Sequence, residues 1–177
     1  MAALAPAAMS GAQAAALGEL LEGRRDSASG PFGVLLRTPE LMTHLQRAGA
    51  HLRFDSAVAG ALLEMTVLIV ARRWDQAVEW AIHEPLARQA GLSPDVIDAL
   101  AQGLRPELPT ADLAAAWQVV DEITGGGSVA DATYAGAVEE FGEKALVELL
   151  VAAGYYSLLA MVMNACRTAP PAGPVLP

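Results

Sequence analysis

Apolar residues recur three and four positions apart along most of the chain, and no segment sustains an alternating pattern. The periodicity therefore predicts helices throughout and an all-α fold. A first helix is expected from Gln13 to about Glu22, followed by a loop over "GRRDSASGPFG" punctuated by Gly30, Pro31 and Gly33. Thr38 and Pro39 form a cap-and-proline start for a helix running to about Arg53. Asp55 or Ser56 caps the next helix, which runs through Arg73, and Asp75 caps a further one that ends at Gly91. Ser93 and Pro94 open another, to about Gln102, with Gly103 as its stop. Beyond the link "LRPELPT", helices are expected from Asp112 to Ile123, from Asp131 to Phe141 and from Glu143 to about Arg167. The expected organisation is a lead and short helix over residues 1–29, one helical domain over 30–168 and a flexible proline-rich tail over 169–177.

Composition supports the helical reading, because alanine and leucine dominate while aromatic residues make up only 5%. A net charge of −9 argues against nucleic-acid partners, whose phosphates would be repelled. A single cysteine, Cys166, allows no disulfide within the chain, no CxxC pair and no multi-cysteine metal site. A cytoplasmic location suits that cysteine usage, and the N-terminal stretch lacks the basic start of a signal peptide. The run Ala145 to Met163 is long enough to span a bilayer. Because Glu148 interrupts it, it is read instead as a core or interface helix, with no membrane partner. A mean hydropathy of +0.35 points the surplus apolar surface toward other subunits.

Chemistry concentrates in "ARRWDQAVEWAIHEPLA", residues 71–87. Gln76, Glu79 and His83 share one helical face, with Trp80 beside them. The preceding helix, apolar almost all round, carries one acid in its interior, Glu64, and desolvation there favours a neutral carboxyl. If the chain reverses tightly at Trp74 and Asp75, Glu64 and His83 stand at similar distances from the turn and face one another. Pro85 cannot donate to the carbonyl of Ala81, so that carbonyl is expected to be free to orient a ligand or water. A carboxylic acid beside an imidazole is equipment for general acid–base catalysis; the bland alternative is a satisfied structural pair. The glycine triplet Gly125 to Gly127 lacks the lysine and strand of a phosphate loop and is read as a helix stop. His44 and His51 show no ligand spacing and are read as solvent-facing, so no metal is expected.

The stretches "GPFGVLLRTPELMTHL", "ALLEMTVLIVARRWDQAVEWAIHEPLARQAGLSPDVIDALAQG" and "DATYAGAVEEFGEKALVELLVAAGYYSLLAMVMNA" resemble the carboxymuconolactone decarboxylase family, which includes the AhpD-type alkylhydroperoxidases. The resemblance covers most of Gly30 to Cys166, and the spacing of Glu64 and His83 matches the family's proton relay. It implies a helical bundle built on an antiparallel hairpin and assembled as a homotrimer or a dimer of trimers. In peroxidase members, two cysteines stand where this chain has Gln76 and Glu79. Neither residue can form a sulfenate or a resolving disulfide, which disfavours peroxidase or peroxiredoxin activity. The decarboxylase side implies a cofactor-free lyase acting on a carboxylated lactone or related small organic acid. In that reading His83, Glu64 and Glu79 are catalytic, Trp80, Trp74 and Gln76 line the substrate pocket, and Arg72 or Arg73 holds the anionic group. A non-catalytic oligomeric binding protein is the remaining alternative.

Overall fold

The computed structural model describes residue 1 and residues 4–23, 27–58 and 60–177. Arg24, Arg25 and Asp26 of the expected first loop, and Ala59 before the apolar helix, lie outside the described residues. The described residues form eight α-helices and one short 3-10 turn, with no strand. They are α1 (Gly11–Glu22), α2 (Pro31–Leu35), α3 (Pro39–Phe54), α4 (Gly60–Arg73), α5 (Ala77–Gln89), α6 (Pro94–Ala101), α7 (Ala111–Gly126) and α8 (Asp131–Cys166). The all-α reading holds.

Helix α4 is the hub, packing against α5, α6, α7 and α8. Ten consecutive residues, Leu62 through Ala71, are buried. Its continuous apolar run leaves no polar face to turn toward water, so it must be surrounded. Helix α1 joins the same core through Ala16 and Leu20, and Arg47 and Gln46 of α3 hold Glu19 of α1 at 2.7 and 2.8 Å.

Several expected helix starts differ. Residues 31–35 are helical, not loop: Pro31 opens α2, and Phe32 and Leu35 are buried against the bundle, so tertiary burial outweighs the breaker signals around them. The Thr38 side chain does not cap α3; its hydroxyl donates to the carbonyl of Leu35. Asp55 and Ser56 belong to the end of α3 and the turn after it, because α4 begins only at Gly60. Ser56 donates to Leu52 O and accepts from the Val58 amide. Asp75 adopts a positive φ of 46° in the turn, and Gln76 is the cap of α5, its side chain accepting from the Val78 amide at 2.8 Å. Ser93 does cap α6.

Gly142 separates two helical stretches of α8, with φ 80° and ψ 162°, a conformation open essentially only to glycine. That break falls where the sequence places it, between Phe141 and Glu143. The C-terminal stretch is long and apolar enough by composition to cross a membrane, and half of its most apolar window is buried within the bundle. Val147, Val151 and Met161 remain exposed on its other face. Glu148 is used locally, accepting from the Ala57 amide at 2.5 Å and from His51 Nε2 at 3.1 Å. His51 is thus half exposed but hydrogen-bonded, not simply solvated. In the tail, Gly173 lies against Ala81, and Leu176 packs on the core.

Two measurements check this account. Gly142→Ala should lower stability by about 1–3 kcal/mol in urea denaturation, because the cost is backbone strain; a Cβ there would meet nothing within 4 Å. The Ala57 amide, followed by His51, holds the Glu148 carboxyl below its ordinary value of 4.5. Its contribution is therefore complete above that value and is lost as pH falls through the lower folded-state value. Glu148→Gln should destabilise at pH 7, with the deficit shrinking below about pH 4.5 in parallel denaturation curves.

Candidate active site

The reversal between α4 and α5 is held from outside by α8. Asn164 donates to the carbonyl of Trp74 at 2.7 Å and accepts from Gln76 Nε2 at 2.6 Å. Helices α4 and α5 therefore pack as an antiparallel pair, and Glu64 meets His83 across it. The Glu64 Oε2 to His83 Nδ1 distance is 2.7 Å, with both side chains buried. On the other side of the ring, His83 Nε2 stands 3.4 Å from Glu79 Oε2, one helical turn back along α5. The imidazole is thus flanked by a carboxyl at each nitrogen. A carboxylate at Nδ1 accepts a hydrogen bond from Nδ1–H, which fixes the ring's orientation and leaves Nε2 as the nitrogen that exchanges protons.

His83 and Glu79 open on a cavity of about 270 Å³. Its other walls come from distant parts of the chain: Ser27 and Ser29, Phe32 of α2, Arg53 of α3, and Tyr155 and Tyr156 of α8. Tyr156 meets the His83 ring edge-on, with centroids 5.1 Å apart. Burial, reinforced by the charge of Glu79, pushes its phenol well above the ordinary value, so it stays a hydrogen-bond donor at neutral pH. Tyr155 stacks edge-on against Tyr156 and is anchored by its hydroxyl to the carbonyl of Leu45 at 3.0 Å. Arg53 is the one Lys or Arg side chain among the described lining residues. A guanidinium at the wall of a small cavity is a natural partner for a carboxylate or an enolate oxygen. Among the described residues, no group of three or more His, Cys, Asp or Glu is placed to hold a metal ion.

Of the residues expected at the site, the structure brings together Glu64, Glu79 and His83. It places the expected substrate contacts elsewhere. Trp80 is buried in the core, and Gln76 is engaged in capping α5 and binding Asn164. Trp74 is partly exposed and lines a separate groove with Leu150 and Gly154. Arg72 forms an ion pair with Asp75, and Arg73 pairs with Asp121 at 2.7 Å. Both arginines lie at the end of α4, two turns beyond Glu64. The carbonyl of Ala81 does not open on the cavity either: a Cβ on Gly173 would stand 3.2 Å from it, so the tail covers the position that Pro85 leaves without a donor. Cys166 is absent from the described lining.

Sequence reasoning missed Arg53, Phe32, Tyr155 and Tyr156. The tyrosine pair carried the only usable signal, as two adjacent phenols in an otherwise apolar run. Arg53 entered the sequence reading only as the approximate end of a helix.

The Glu64–His83 contact should couple energetically. Glu64→Leu is expected to cost about 1–3 kcal/mol by leaving a buried imidazole nitrogen unpaired. The double variant Glu64→Leu/His83→Leu should cost less than the sum of the single changes, as read from a double-mutant cycle in urea. Compared with known proteins, the chain matches no protein-family model and no curated protein.

Proposed function

We propose that this chain is a cofactor-free acid–base enzyme of the lyase type, acting on a carboxylated lactone or a related small organic acid. The observation that carries the reading is the buried imidazole held between Glu64 and Glu79, with its exchanging nitrogen beside a cavity that also presents Arg53. The resemblance to carboxymuconolactone decarboxylases supplies the reaction type, and an oligomer of the family kind would cover the exposed apolar residues of α8.

Loss of carbon dioxide breaks the carbon–carboxylate bond and leaves its electron pair on the substrate. An adjacent unsaturated carbonyl takes up that pair as an enolate oxygen. Charge leaves the carboxylate during this step and arrives at the carbonyl. A cation accelerates the reaction more if it meets the oxygen that gains charge than if it holds the group that loses it. Arg53 and the Tyr156 phenol are the donors available for that oxygen. His83, protonated at Nε2, then delivers a proton to carbon. Glu64 stabilises the imidazolium at Nδ1, and Glu79 is placed to return a proton to Nε2. The side chains of Phe32, Ile82 and Leu159 supply the apolar part of the wall.

The test is carbon dioxide release from 4-carboxymuconolactone and a small panel of carboxylated lactones and β-keto acids. Wild type should turn over at least one of them. His83→Ala should be slower by about 10²–10⁴-fold while eluting unchanged in size-exclusion chromatography. A fully active His83→Ala protein, or no release from any member of the panel by wild type, would retire the lyase reading.

A further inference from the structure

A second cavity, also of about 270 Å³, lies beyond the C-terminal turn of α4 and shares no described lining residue with the cavity of His83. Ile69, Leu100 and Trp117 give it an apolar wall of buried side chains. Its polar side is built from two ion pairs, Arg72 with Asp75 and Arg73 with Asp121. The guanidinium of Arg105 is not part of the lining but stands 5.0 Å from the centre of the Trp117 ring.

Arg72 is the unusual member. Its Nη1 goes to Asp75, whose own side chain is 79% exposed. An ion pair open to water on one side contributes little and is readily exchanged. Its Nε is buried and has no hydrogen-bond partner. Such a group costs free energy unless something supplies an acceptor. Gly103, at a positive φ of 70°, packs close to this atom: a Cβ there would stand 3.8 Å from Arg72 Nε, in van der Waals contact. The edge of a guanidinium that includes Nε is one of the two that fork a carboxylate.

We propose that this cavity binds a small organic monocarboxylate with a flat apolar body. The carboxylate forks on the Nε edge of Arg72, beside the Asp75 ion pair at Nη1, and the body lies against Trp117, Ile69 and Leu100. Leu104, at the rim and 57% exposed, is the side chain with freedom to move aside and admit the ligand to Nε. The site depends on none of the residues assigned to the lyase reading, so either can fail alone.

Benzoate is a suitable probe, titrated by calorimetry into the full-length protein and into an Arg53→Met variant, which removes the cation of the other cavity. Saturable binding should persist in Arg53→Met. Adding Arg72→Met should weaken it about tenfold or more, as expected for losing charge-assisted hydrogen bonds. Adding Leu104→Glu should do the same by placing a negative charge at the mouth, and this exposed position decides the matter if Arg72→Met does not fold. Asp75→Asn should tighten binding several-fold by removing a neighbouring negative charge, and asparagine is at ease at that positive φ. Absence of saturable binding in Arg53→Met would overturn the proposal. So would an affinity unchanged by Leu104→Glu, or one no tighter in Asp75→Asn.

Discussion

Burial of Glu64 inside a helix with no solvent-facing side is the constraint on which the site depends. Helix α4 is enclosed by its neighbours, so a carboxyl in its interior is largely cut off from water and needs a partner within the protein. That partner is His83, and the demand sets the register of α4 against α5. A slide of one turn would strand both groups in an apolar environment. The same contact that satisfies the core also fixes the imidazole's orientation, so one interaction serves stability and chemistry together.

Helix α8 holds this arrangement at both ends. Asn164 near its C-terminus clamps the α4–α5 reversal, and Glu148 in its middle gathers the end of α3 and the turn before α4. Between them, Tyr155 and Tyr156 bring phenols to the cavity. Helix α8 packs against both α7 and α4, and the break at Gly142 divides it into two helical stretches.

The helical pattern was legible because apolar spacing reports the face that each helix buries, and that face survives any detail of the packing. Helix ends were less legible. The turn at Trp74–Gln76 is the clearest case: Asp75 has the better intrinsic capping chemistry, yet Gln76 caps because Asn164 of α8 holds it there. Residues 31–35 show the same override, since five residues preceded by one glycine and containing another have little helical preference of their own and become helical by burying Phe32 and Leu35.

The sequence by itself determined the helical class, the break at Gly142 and the encounter of Glu64 with His83. Each follows from local spacing, from the permissive backbone of one glycine or from equal distances to a turn. Only the tertiary structure decided what surrounds that pair. Arg53, Phe32 and Tyr156 come from three other helices, and whether they reach His83 depends on crossing geometry that no local pattern encodes. It also separated Arg72 from the imidazole, because two helical turns of rise carry its charge to the far end of α4 and into a different cavity.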